Sequence, residues 1–143
     1  MTTEQGQALS KPLPRPEHAF TDQFWDACQR HELIIPYCTK CSRYFWYPRQ
    51  ECPFCLEGAW EWRKVSGKGR VYTFTLVRQP GHPAFAEEVP YPYAIIQLDE
   101  GVRLISNVVG IDPLQLQCEQ RVEVVFEEAS PDVTLFKFRP IPE

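Results

Sequence analysis

Two C-x-x-C pairs, Cys38/Cys41 and Cys52/Cys55, stand ten residues apart and hold four of the six cysteines in the chain. Each pair can sit on a knuckle turn whose backbone amides point at the sulfurs, and two facing knuckles form a tetrahedral thiolate cage. Zinc is the first expectation because it accepts four thiolates without redox liability; iron in a rubredoxin-type site is the alternative. Four protein sulfurs close the coordination sphere and leave no place for a catalytic water. We therefore expect one structural zinc per chain, held by Cys38, Cys41, Cys52 and Cys55. Thiol–disulfide exchange needs only one C-x-x-C, with its first cysteine at a helix N-terminus. Both pairs here lie in strand-and-turn sequence.

Other reactive side chains form no set. Cys28 falls on the aromatic side of a helix pattern and Cys118 in the polar segment LQLQCEQ, so both read as packing or surface thiols. His18, His31 and His82 are scattered, and the carboxylates are spread over solvent faces. SGKGRV (66–71) lacks the Gly-Lys-Ser/Thr ending of a phosphate loop and has no helix after it. It reads as a flexible crossing into a strand. With no nucleophile, general base or open metal position, catalysis by this chain alone is not expected.

Between the cysteine pairs Tyr44, Phe45, Trp46 and Tyr47 alternate, with Arg43, Arg49, Lys64, Lys68 and Arg70 nearby in sequence. Exposed, these rings and cations would stack a base and pair with phosphates. Buried, the rings would pack the ribbon on its neighbour. The net charge is −4, unevenly spread: residues 36–70 carry seven basic and three acidic side chains, for +4, and residues 71–143 five basic and eleven acidic, for −6. Such a balance disfavours a long polyanion as ligand. No apolar run reaches the roughly 20 residues that span a bilayer, and the first 16 residues show no signal-peptide core. A cytoplasmic location follows as an expectation, and in a reducing cytosol paired cysteines serve more often as ligands than as disulfides.

The elements that must position these residues come in three blocks, expected at 1–33, 34–64 and 65–143. Residues 1–16 read as a polar, proline-bearing tail. AFTDQFWDACQRHELI follows as a short helix, with Thr21 as its cap and with Phe24, Trp25, Cys28 and His31 on or near one side. That side packs either on its own domain or on a partner protein. Short strand patterns then appear at LIIPY, YFWY and AWEWRK, which frame the cysteines. Five more follow at 71–77, 93–98, 102–109, 121–128 and 133–138, with Asp99-Glu100-Gly101 as a tight hairpin turn. Five strands without intervening helices point to a small closed or nearly closed barrel, though an SH3-like barrel or half a sandwich would show similar strands. Four prolines stiffen the loop 79–92, which we read as a functional flap.

The order of these parts resembles a known family. Phe24-Trp25, the two cysteine pairs, Tyr47-Pro48-Arg49, Cys52-Pro53 and Val65-Ser66-Gly67-x-Gly69-x-Val71-Tyr72 carry the resemblance, and Pro92-Tyr93-Ala94, Asp99-Glu100-Gly101 and Phe138-Arg139-Pro140 extend it. The family is the thiolase-associated OB-fold group with an N-terminal rubredoxin-like zinc ribbon, long catalogued as a domain of unknown function. Two places depart from its pattern. His31-Glu32-Leu33 stands where the family has Gly-x-Leu, and Leu116-Gln117-Cys118 where it has an Ile-Gly turn. The resemblance implies a mainly β protein: an N-terminal helical segment, a zinc ribbon and a five-stranded OB-fold barrel. It further implies a non-catalytic subunit that binds a thiolase-fold enzyme and helps form the site for CoA or acyl-CoA, in a thiolase, synthase or aldolase. On that footing Arg49, Lys68 and Arg70 are candidate phosphate contacts, Tyr91 and Tyr93 candidate pantetheine contacts, and Phe20, Phe24 and Trp25 candidate partner contacts. The alternative from another class is a single-stranded nucleic-acid binder, a common use of OB barrels and zinc ribbons.

Overall fold

A computed structural model describes residues 11–15 and 19–142; His18 and most of the N-terminal tail lie outside the described residues. One helix, α1 (Asp22–Gln29), precedes all the strands. Thr21 occupies its N-cap position but makes no side-chain capping bond, which corrects the role expected of it. The Asp22 carboxylate instead accepts the Gln23 amide at 2.7 Å. At the other end Glu32 N donates to Ala27 O and His31 N to Cys28 O, both at 2.9 Å, and His31 takes a left-handed φ of 59°. This is the Schellman closure that glycine normally serves.

The ribbon is a three-stranded antiparallel sheet of β1 (Ile34–Cys38), β2 (Arg43–Tyr44) and β3 (Trp60–Lys64), in the order β2-β1-β3. The expected strand at YFWY stops after Tyr44. The reason is visible in the side chains that follow. Phe45 enters the small core behind the cysteines, while Trp46 packs against the main core. Neighbours that serve two different cores cannot continue one pleated strand.

The second sheet has β4 (Lys68–Val77), β5 (Tyr91–Leu98), β6 (Arg103–Ser106), β7 (Arg121–Glu128) and β8 (Thr134–Pro140), in the order β6-β5-β4-β7-β8. A parallel bridge between Val108 and Phe138 joins its two edges, with Val109 N to Phe138 O at 2.7 Å and Phe138 N to Asn107 O at 3.0 Å. The sheet is thus curled into an OB-like barrel, and no edge runs its full length unpaired. The expected strand 102–109 is shorter in its ladder, because its last residues make this parallel closure instead.

SGKGRV is no loose crossing, since β4 already begins at Lys68. Its glycines are required by close approach. A Cβ on Gly69 would lie 2.4 Å from Gln97 O, and one on Gly67, at φ 75°, 2.5 Å from Val124 Cγ1. Loop 79–92 is shorter than its expected span, because Tyr91 and Pro92 belong to β5 and Pro83–Phe85 form a single 3-10 turn. One main core joins all three parts: Phe24 and Cys28 from α1, Leu33 from the link that follows it, Ile35 from the ribbon, and Ile96 and Phe138 from the barrel. No helix of the described residues is long and apolar enough to cross a membrane.

Candidate functional site

Each cysteine pair lies on a tight turn closed by backbone bonds. In the first, Ser42 N donates to Cys38 O at 2.9 Å and Cys41 N to Cys38 Sγ at 3.4 Å. In the second, Leu56 N donates to Cys52 O at 2.9 Å and Phe54 N to Cys52 Sγ at 3.4 Å. The residue after each pair is left-handed, Ser42 at φ 59° and Leu56 at φ 62°. The knuckles face one another, and all four Sγ atoms lie within 4.8 Å of each other. Cys38 and Cys55 sulfurs are 3.5 Å apart, and those of Cys41 and Cys52 3.7 Å. An ion bound about 2.3 Å from each of four tetrahedral sulfurs needs sulfur separations of about 3.8 Å, so this donor set fits a tetrathiolate metal. Phe45 and Trp60 back the cage, with ring centroids 5.7 Å apart.

The thiols differ in their hold on a proton. The Cys41 amide donates toward Cys38 Sγ and brings that thiol down to about 7. Burial pushes Cys41 up to about 12. A cation at the centre reverses such burial costs by supplying the compensating charge. Cys28, away from the cage in the main core, is also pushed up to about 12 by burial, which keeps it protonated and inert. Cys118 is exposed and has no cysteine beside it among the described residues.

The candidate CoA residues occupy different regions. Arg49 is exposed on the ribbon, with Nε donating to Tyr47 O at 3.2 Å. Lys68 and Arg70 begin β4, while Tyr91 pairs with Val77 at its far end. At about 3.3 Å per residue, Arg70 and Tyr91 are therefore roughly 20 Å apart along the hairpin. Arg70 is already engaged by the Glu119 carboxylate and by Gln97 Oε1. Tyr91 lines a cavity of about 610 Å³, walled by Phe85, Val108 and Leu135 and bordered by Lys11, whose Nζ lies 2.9 Å from Glu88. Tyr93 is exposed on β5.

Of the candidate partner contacts, Phe24 is 2% exposed and lies inside the main core, with ring centroids 4.9 Å from Trp46 and 5.2 Å from Phe136. Trp25 is half-buried against Phe24 and Phe136, and Phe20 is exposed. His31 stacks on Phe126 at 5.2 Å, and His82 Nδ1 accepts the Ala84 amide.

One grouping escaped the sequence. Arg103 sets its guanidinium 3.8 Å from the Tyr72 ring centroid, and both Arg103 and Arg70 donate to Gln97 Oε1, at 3.3 and 3.2 Å. Tyr72 is the residue at which the β4–β5 register slips. A bulge of this kind re-aims a side chain, and its only trace in the sequence is a break in strict alternation.

Fold and site together define a four-cysteine metal ribbon fused to an OB-like barrel through one helix-capped core. Residues 25–61 match the family model of the ChsH2 rubredoxin-like zinc ribbon domain, and residues 62–127 that of the ChsH2 C-terminal OB-fold domain. A DUF35 domain-containing scaffold protein of Methanothermobacter thermautotrophicus is 36% identical over 119 residues, covering 78% of this chain and 89% of its own. A probable enoyl-CoA hydratase alpha subunit of Thermomonospora curvata is 37% identical over 140 residues, covering 96% of this chain and 43% of its own. The chain thus spans less than half the length of that relative. A chain of the Ltp2-ChsH2(DUF35) aldolase superposes with a TM-score of 0.78 at 33% identity, covering 91% of this chain and 98% of its own. The chain belongs to the DUF35 family, with the zinc-ribbon and OB-fold domains of ChsH2 type.

Proposed function

We propose that this chain is a non-catalytic accessory subunit that holds a thiolase-fold enzyme and helps form its acyl-CoA site, for carbon–carbon bond cleavage or formation. The observation that carries the reading is the match over 98% of a chain from the Ltp2-ChsH2(DUF35) aldolase, at 33% identity. The scaffold names of the archaeal relatives agree with it. In this reading the ribbon's ion is zinc, whose coordination is filled by the four thiolates and whose part is to hold the knuckles in place.

The net charge of −4 favours a ligand with a few phosphates over a long polyanion. Lys68 stands at one end of the β4–β5 hairpin beside Arg70, whose pairing with Glu119 a ligand phosphate would have to displace, and Tyr91 stands in the wall of the cavity at the other end. A ligand reaching both ends must be extended, as a nucleotide joined to a pantetheine arm is. Arg49 and Tyr93 remain candidate contacts on the ribbon and on β5, and Phe20 and Trp25 candidate contacts for the partner.

Affinity capture with the full chain from its native extract, followed by mass spectrometry, tests the proposal. A thiolase-fold enzyme is the expected companion, and its turnover of an acyl-CoA is expected to fall on removal of this chain. A companion enzyme that retains full activity alone would refute the accessory role.

A further inference from the structure

Leu56 is 70% exposed, and its backbone sits in the left-handed region at φ 62°. Both features are unfavourable for the chain by itself. A residue with a Cβ meets steric opposition there, and an apolar side chain in water gains nothing from burial. Ser42 holds the same place after the first knuckle at φ 59°. The knuckle thus demands the left-handed turn, but not the leucine. Glycine would relieve the backbone and serine the exposure.

Two residues away Phe54 is 55% exposed. Arg43, reaching across from β2, places its guanidinium 4.8 Å from the Phe54 ring centroid. The tip is stiff, because Cys52 N bonds Glu57 O and Leu56 N bonds Cys52 O, each at 2.9 Å. An apolar pair is therefore held ready at little ordering cost, the condition under which a small contact contributes most to affinity.

The surrounding charge says what kind of surface it meets. Residues 38–57 carry Lys40, Arg43 and Arg49 against Glu51 and Glu57, a net positive charge. Arg43 forms no ion pair among the described residues, and Lys40 approaches only Glu57, at 3.8 Å. A second copy of this chain would bring these cations face to face, which opposes association. We propose that Phe54 and Leu56, flanked by Arg43, dock the second knuckle into an apolar pocket with a carboxylate rim on the partner subunit. The proposal rests on the accessory-subunit reading and gives it a contact surface distinct from α1.

The test measures affinity between the full-length chain and the thiolase-fold subunit that copurifies with it. Leu56→Gly and Phe54→Ala are each expected to weaken the complex at least about tenfold, with the zinc-to-protein ratio unchanged. Leu56→Gly is expected to melt no lower than wild type, so weaker binding cannot come from unfolding. Leu114→Ser, which alters a side chain 67% exposed elsewhere, is the control expected to bind normally. If Phe54→Ala loses zinc, Leu56→Gly alone decides. Wild-type affinity in Leu56→Gly overturns the docking surface while leaving the accessory role intact. A change confined to self-association of the chain also overturns it, assigning the tip to a contact between copies. Failure of the wild-type chain to capture any thiolase-fold subunit removes both.

Discussion

His31 ends α1 in a conformation that an L-residue adopts at a cost, held by the two backbone bonds to Cys28 and Ala27. Its ring stacks on Phe126 and approaches Glu128 at 3.6 Å. Replacement by alanine removes those contacts and keeps the strained backbone, whereas replacement by glycine removes both. His31→Gly is therefore expected to exceed His31→Ala in stability by about 0.5–1 kcal/mol in urea unfolding, and equality would show that the turn is not strained. The same reasoning reaches Glu119, left-handed at φ 72° in the turn before β7. Both stretches where the sequence departs from the family's glycine pattern thus lie at or beside left-handed turns, which the bare sequence marks only as substitutions. Another residue-scale effect concerns pH. Arg121 donates to Asp99 at 2.7 and 3.0 Å and holds its carboxyl below the usual range. A carboxyl lowered on folding stabilises the fold above its unfolded value of about 3.9, and that contribution disappears as the pH falls through the lower folded value. Because the pair is exposed, Asp99→Asn is expected to cost at most about 1 kcal/mol at pH 7, with the difference from wild type vanishing in strong acid.

At the scale of elements, α1 shows how a weak helix is kept. Eight residues cannot hold a helix in water, so Phe24 and its neighbours must supply the stability from the core. Phe24→Ala is expected to lower unfolding free energy by about 3–5 kcal/mol and to release the helix from the barrel, read as lost near-ultraviolet dichroism from Trp25 and Trp46. The spacing of aromatic residues identified the helix, but whether its side met the chain's own barrel or another protein depended on Phe136 and Trp46, which lie 112 and 22 residues beyond Phe24 in the sequence. The pairing of β4 with β5 is equally specific. Gly69→Ala forces a Cβ onto Gln97 O, 2.4 Å away, and is expected to cost about 1–3 kcal/mol in thermal or urea unfolding. A strand that tolerated alanine there would mean that β5 can slide away.

At the scale of the whole molecule, two cores of unequal size are joined by the ribbon. The main core runs from α1 through the ribbon strands into the barrel, while the small one contains only Cys38, Phe45 and Cys52 with the half-buried cysteines and Trp60. So small a cluster is expected to depend on a metal bound by the four cysteines. Elemental analysis is expected to find about one zinc per chain. Chelation is expected to abolish amide-exchange protection around residues 38–58 while β4 and β5 stay protected. Loss of protection throughout would mean that the knuckles hold the barrel together as well.

The sequence alone determined which four cysteines come together, the mainly β character and the succession of helix, ribbon and barrel, because cysteine spacing, alternation and turn residues are local properties of the chain. Barrel closure through Val108 and Phe138 was decided only in three dimensions, as were the burial of Phe24 and the meeting of Arg70, Tyr72 and Arg103 around Gln97. Each of these depends on which distant residues the strand register brings opposite one another. Register is set by the packing of the whole core, and a one-residue slip would send every such side chain to the other face.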